Sequence, residues 1–304
     1  MHSKFVGAAI AALFSVASPQ AMALNVFACE PEWASLVKEI APDATLYSAT
    51  TAYQDAHFVQ ARPSLIAKLR RADMFVCSGS ELEIGWLPAL QMKANNANVR
   101  NGQLGAFYAA EQVERLDVLE NVDRSMGDVH ASGNPHVHWS PDRMVVIAEK
   151  LTERIAQIDP SNSDAYFSRL ADFQQRWLVH IESLQAKAKP LKQLKVVAYH
   201  SSYRYLFDWL GVTQVGDLEP KPGLPPTSSH LASLVSLKNS NDYQLVIYAD
   251  YQDSKGANWL SAKVDVPNLQ MVYSVDPEKP QQADLFRLYE TAIDQLLTEA
   301  GLPK

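Results

Sequence analysis

Asn25-Val-Phe-Ala-Cys-Glu-Pro-Glu-Trp-Ala-Ser-Leu-Val-Lys-Glu-Ile40 holds both halves of the unit from which the chain is built. Asn25 to Ala28 is a short apolar run ending at Cys29, which reads as a strand. Pro31 then opens a helix, since proline fits the first helical position. Trp33, Leu36, Val37 and Ile40 fall on one face at steps of three and four. A strand this short and apolar, followed at once by an amphipathic helix, suits a parallel sheet covered by helices on both faces.

The alternation continues outward. Strands are expected at 44–48, at 73–77 and, on a weaker signal, at 114–119, with a helix at 63–71 between the first two. Between 89 and 128 the pattern fades, and Asn95, Asn96, Asn98 and Asn101 suggest loop. A helix is expected at 143–158. Residues 163–186 read as one long helix, with Tyr166, Phe167, Leu170, Phe173, Trp177, Leu178, Ile181 and Leu184 at helical spacing. Its span of about 36 Å is enough to run along two domains as a stiff backbone. A second α/β series follows, with strands at 194–199, 244–249 and 268–275 and helices at 202–210, 229–239 and 283–300.

The chain has 304 residues and a formal net charge of −7. That length suggests two domains. We expect an N-terminal α/β lobe at 24–160, a linking helix at 161–188 and a C-terminal α/β lobe at 189–304. With no run of five Lys or Arg, a nucleic-acid partner is not expected. The first residues combine Lys4, an apolar run from Phe5 to Val16 and Ala21-Met-Ala23, the pattern of a secretory signal peptide cleaved after Ala23. A lipidated N-terminus at Cys29 is a weaker reading, because residues 24–28 look like a strand. Export favours a disulfide. Cys29 and Cys77 end the first and third strands, which are neighbours in a doubly wound sheet of order 2-1-3. A bond between them is expected; two buried thiols are the alternative.

The chemistry gathers in Gly127-Asp-Val-His-Ala-Ser-Gly-Asn-Pro-His-Val-His-Trp-Ser-Pro141. This loop carries His130, His136 and His138, three of the chain's eight histidines. Neutral imidazole is the commonest metal ligand. A lone His is more often solvated or structural, but three in nine residues favour a metal. Other candidates follow strands: His57, His200, Asp250 and Asp276. The carboxyl edge of a parallel sheet is where ligands bind. Each Asp can equally be a helix N-cap, and His200 a buried structural residue. His180 and His230 are read as structural. A site of three imidazoles and one carboxylate suits Zn2+; Mn2+ is tolerated but held more weakly.

At these positions the chain resembles the zinc/manganese solute-binding proteins of ABC importers, the ZnuA/TroA-like cluster A-I group. The resemblance rests on Asp55-Ala-His57 with Arg62-Pro-Ser-Leu-Ile-Ala-Lys-Leu-Arg-Arg-Ala-Asp73, and on Ser80-Glu-Leu-Glu83. Gly133-Asn-Pro-His136, Tyr199-His200, Glu219-Pro-Lys-Pro-Gly-Leu-Pro-Pro226 and Ala249-Asp-Tyr-Gln252 extend it over most of the chain. It implies two α/β lobes joined by one rigid helix with metal in the cleft. It implies ligands at His57, His136 and His200 and a carboxylate at Asp276. His at the third position leans towards zinc. His138 competes with His136, the role of Asp250 is open, and His130 is all that remains of a His-rich loop.

The function so implied is a periplasmic monomer that captures Zn2+ and delivers it to an ABC permease, with Mn2+ transport or adhesion as variants. A secreted zinc hydrolase is the reading from another class. Glu81 or Asp250 would be its base, but neither His-Glu-x-x-His nor Gly-x-Ser-x-Gly is present.

Overall fold

A computed structural model describes residues 23–303, so the expected signal peptide, apart from its last residue Ala23, lies outside the described residues. Four strands form the first sheet: β1 (Asn25–Ala28), β2 (Thr45–Ser48), β3 (Met74–Cys77) and β4 (Ala106–Tyr108). The second sheet holds β5 (Lys195–Ala198), β6 (Thr213–Asp217), β7 (Leu245–Ala249) and β8 (Asn268–Met271). Their orders are β2-β1-β3-β4 and β6-β5-β7-β8, parallel throughout. The two halves therefore repeat one topology, with the first strand inside and the second at the edge. The inner strands β3 and β7 are buried along their whole length, which explains their unbroken apolar sequence.

The helices are α1 (Pro31–Ile40), α2 (Pro63–Arg71), α3 (Leu87–Ala94), α4 (Pro141–Ile158), α5 (Ser163–Lys187), α6 (Arg204–Leu210), α7 (Ser228–Asn241), α8 (Lys255–Val264) and α9 (Leu285–Glu299). None is long and apolar enough to cross a membrane. One apolar core runs from β1 and α1 through α4 and α5 to β5, β7 and α9. Two smaller cores cover the outer face of each sheet. The inner faces of both sheets thus share one continuous interior, with α5 packed into it.

The 25-residue α5 buries Tyr166, Leu170, Phe173, Trp177, Ile181 and Leu184. Phe167 and Leu178 are exposed, against expectation; the buried stripe is narrower than the apolar pattern, as a helix touching its neighbours along one seam requires. Four elements escaped the sequence reading: α3, β4, β6 and α8. The strand expected at 114–119 is coil, and its place at the sheet edge belongs to β4. At three residues, β4 is too short to show a period. The last strand ends at Met271, not at 275. Val272 to Val275 is buried but irregular, so Asp276 sits five residues past the strand.

Cys29 and Cys77 form a disulfide, with Cα atoms 4.8 Å apart, as the expected pairing of β1 with β3 requires.

Candidate metal centre

Three imidazoles converge where the carboxyl ends of the two sheets meet. His57 lies on the long turn between β2 and α2. His136 starts a single 3-10 turn leading into α4, and His200 follows β5. One ring nitrogen from each lies within 4.8 Å of the others. The ring centroids form a nearly equilateral triangle: 5.8 Å for His57–His136, 5.7 Å for His57–His200 and 5.7 Å for His136–His200. The rings stand at 65–87° to one another.

Each imidazole is oriented through Nδ1. His57 Nδ1 lies 2.7 Å from Asp55 Oδ1, and His200 Nδ1 lies 2.9 Å from Glu219 Oε2. A carboxylate only accepts, so each Nδ1 carries the hydrogen and each Nε2 keeps its lone pair. His136 Nδ1 lies 2.8 Å from the Tyr273 hydroxyl, which takes the same role when His136 donates to it. The Nε2 atoms of His136 and His200 are buried without a hydrogen-bond partner. A buried lone pair with no donor is costly, and a cation offsets that cost. Oriented imidazoles with carboxylate or hydroxyl partners behind them are the usual build of a metal site.

Electrostatics favour a neutral His136. Burial, followed by the His200 and His57 charges, holds His136 well below the ordinary imidazole range. Burial pushes Asp55 up, but its hydrogen bond and charge interaction with His57 outweigh that, and its pKa is lowered. A cavity of about 260 Å3 opens onto His57 and His200, with Asp55, Asp128, Glu219 and Asp253 in its wall. Four carboxylates around one mouth draw cations inward.

The other candidates part company here. Among the described residues no carboxylate joins the three imidazoles. Asp276 accepts a hydrogen bond from the Tyr53 hydroxyl at 3.0 Å instead, because the irregular stretch after β8 carries it away from the strand end. Asp250 is pushed up to about 7 by burial, with Lys279 and Asp276 as its charged neighbours. His138 is buried beside the site but faces elsewhere. Its Nδ1 is 3.3 Å from Glu32 Oε1 and its Nε2 is 3.3 Å from the Tyr273 carbonyl. Because the segment turns as a 3-10 helix at Val137–Trp139, the extended geometry that would aim both His136 and His138 at one ion is absent. His130 Nε2 lies 3.1 Å from His57 Nε2, at the rim. His180 and His230 are structural: each bonds a backbone carbonyl, Phe286 at 3.0 Å and Asp217 at 2.8 Å.

The residues that escaped the sequence reading are the orienting ones. Asp55 and Glu219 stood in the motifs without a role, and a carboxylate two residues before His57 was the available signal. Tyr273 gave none, since its contact with His136 spans 137 positions.

The family model for the periplasmic component A of zinc-uptake complexes, ZnuA, matches residues 26–299. The zinc-binding lipoprotein AdcA of Streptococcus pneumoniae serotype 4 is 25% identical over 277 residues, which is 85% of this chain and 52% of that protein. The high-affinity zinc uptake system protein ZnuA of Bacillus subtilis is 22% identical over 213 residues, covering 69% of this chain and 65% of that one. The chain thus spans between half and two thirds of these relatives' lengths. A ZnuA crystal structure superposes with a TM-score of 0.76 at 19% identity, covering 92% of this chain and all of that one. A manganese-bound periplasmic metal-binding protein from Candidatus Liberibacter asiaticus gives 0.73 at 17%, covering 90% and 98%.

Proposed function

This chain belongs to the family of the periplasmic component A of zinc-uptake complexes, and on that premise we propose that it captures Zn2+ outside the cytoplasm and hands it to an ABC-type permease. The observation that carries this reading is the triad itself. Three Nε2 atoms converge, two of them buried without a partner, and an acceptor backs each ring. Imidazole nitrogen suits Zn2+ better than Mn2+, whose preferred donors are oxygens. Zinc is the cargo, bound at the junction of an N-terminal lobe at 24–160 and a C-terminal lobe at 189–304. The protein works as a monomer in the periplasm after removal of residues 1–23.

Binding rather than catalysis fits the neighbouring carboxylates. Asp55 and Glu219 are occupied with His57 and His200. Glu81 accepts from Ser132 N at 3.2 Å and Ser132 Oγ at 2.5 Å. A general base must reach a metal-bound water; these three side chains are committed elsewhere, and Asp250, the other candidate base, is not among the groups gathered at the triad.

Calorimetric titration with Zn2+ and Mn2+ tests the proposal. His136→Ala and His200→Ala are expected to abolish tight Zn2+ binding, and His230→Ala to leave it intact. Wild-type affinity in His200→Ala would sink the assignment.

A further inference from the structure

We propose that Glu32 is a positioning residue for the metal site: it braces the segment through which Tyr273 orients His136. The inference rests on the triad reading above and names the side chain that keeps one of its three imidazoles aimed.

Val272 to Val275 is buried but belongs to no strand. Side chains hold its carbonyls in place of a sheet ladder. The Tyr203 hydroxyl donates to Val272 O at 3.1 Å, His138 Nε2 lies 3.3 Å from Tyr273 O, and Gln282 Nε2 donates to Ser274 O at 3.1 Å. A carbonyl only accepts, so His138 Nε2 carries the hydrogen. One 3-10 turn thus grips Tyr273 at both ends. His136 Nδ1 meets its hydroxyl at 2.8 Å, and His138 meets its carbonyl.

Glu32 closes this arrangement from the other side. Its Oε2 accepts the Ser274 Oγ–H, across 242 positions of sequence. Its Oε1 faces His138 Nδ1 at 3.3 Å. Both of those facing atoms are buried, and neither has a hydrogen-bond partner elsewhere among the described residues. One carboxylate therefore touches the residue after Tyr273 and the imidazole that holds the Tyr273 carbonyl.

Stability alone does not account for a carboxylate here. Glu32 is 1% exposed, and burying a carboxylate is costly unless it is bonded. Its place in the first turn of α1 offsets part of that cost through the helix dipole. Yet Trp33, Leu36, Val37 and Ile40 of the same helix fill apolar core, and an apolar side chain of similar length would pack there with no charge to desolvate. What it would not do is hold Ser274 and His138 together. That hold matters because His136 offers Nε2 to metal only with its hydrogen on Nδ1, where the Tyr273 hydroxyl accepts it. If the segment slips, that acceptor is lost, the hydrogen redistributes to Nε2, and molecules in that tautomer do not bind the ion.

The test uses the full mature chain and Zn2+ calorimetry. Glu32→Met and Ser274→Ala should each lose about tenfold in affinity. Glu32→Gln, whose amide still accepts from Ser274 and donates towards His138, should keep most of it. Glu32→Met with Tyr273→Phe should lose little more than Tyr273→Phe alone, because both act through one contact. Nitrogen-15 spectra of the metal-free protein should place the His136 hydrogen on Nδ1 in wild type and partly on Nε2 in Glu32→Met. Ser274→Ala removes a single oxygen and carries the test if Glu32→Met does not fold. Wild-type affinity in folded Ser274→Ala and Glu32→Met would overturn the proposal. So would losses that add in the combined variant, which would put Glu32 on a route that bypasses Tyr273. Wild-type affinity in His136→Ala, measured alongside, would instead remove the triad and this proposal with it.

Discussion

Nδ1 of His200 stands 2.9 Å from Oε2 of Glu219, and the same oxygen accepts the Gly223 N–H at 3.3 Å. One carboxylate thus orients the imidazole and anchors the loop that crosses to Asp128. The pair fixes the tautomer that offers Nε2 to metal. Glu219→Ala should weaken Zn2+ binding roughly 10–100-fold, while Glu219→Gln, which keeps an accepting oxygen, should cost less. Calorimetry on both variants decides it; equal affinity in Glu219→Ala and wild type counts against an orienting role.

Tyr273 does for His136 what Glu219 does for His200, with a hydroxyl in place of a carboxylate. Its ring is packed against His138 at 5.2 Å and Tyr251 at 5.0 Å between centroids, so Tyr273→Phe keeps the packing. We expect a Zn2+ affinity loss of about tenfold with near wild-type melting of the metal-free protein. A large fall in metal-free stability with affinity unchanged would show a purely structural hydroxyl.

The Cys29–Cys77 bond is fully buried and closes a separation of 48 residues. The chain-entropy model gives about 4 kcal/mol for such a loop. Thiol counting on denatured, unreduced protein should find none free. The double variant Cys29→Ala/Cys77→Ala should melt lower and still bind Zn2+, because the bond lies behind the sheet edge and not in the triad. Two titratable thiols would reject the bond in the native protein.

Beneath the site, Glu30 and Glu83 share a buried corner with Ser78. Glu30 Oε2 lies 3.1 Å from Ser78 Oγ, and Glu83 Oε1 accepts Ser78 N–H at 2.7 Å. Burial, then the Glu83 and Glu32 charges, holds Glu30 well above the ordinary carboxylate range. Burial pushes Glu83 up to about 7, against the hydrogen bonds from Gly79 and Ser78. The native state therefore holds protons that the unfolded chain has released, and stability falls as pH rises through the gap between unfolded and folded values. Glu30→Gln keeps a donor towards Glu83 and an acceptor for Ser78 but cannot ionise. Its melting temperature relative to wild type should rise from about pH 5 to about pH 8. A pH-independent difference would mean that Glu30 does not titrate in this window.

The long helix α5 is fastened to both halves. Arg176 bonds Glu39 of α1 at 2.6 Å, Trp177 Nε1 donates to Pro141 O at 2.9 Å, and Lys187 pairs with Asp294 of α9 at 2.5 Å. With a single core running through it, large hinge opening would expose buried apolar area. Zn2+ should raise the melting temperature by mass action on the native state while the radius of gyration hardly changes. Scattering with and without metal checks this; a marked contraction on binding would show that the core yields.

The sequence by itself determined the α/β class, the doubled strand–helix series and the long apolar-striped helix, and it favoured a bond between Cys29 and Cys77 over two buried thiols, which the structure decided. These follow from local period and from the fixed order of a parallel sheet, both legible in consecutive residues. It also narrowed the candidate ligands to His57, His200, Asp250 and Asp276 after strands and to the histidines of one proline-bounded loop. Tertiary structure alone decided which of them meet. His136 and His138 are two residues apart, and only the 3-10 turn at Val137–Trp139 sends one to the triad and the other to Glu32. Asp276 reads as a strand-end carboxylate, yet β8 stops early and the residue turns to Tyr53. His57 and His130 meet across 73 residues, and His136 and Tyr273 across 137. Contacts at such separations leave no period in the chain, because they are set by how two sheets dock and not by the residues on either side.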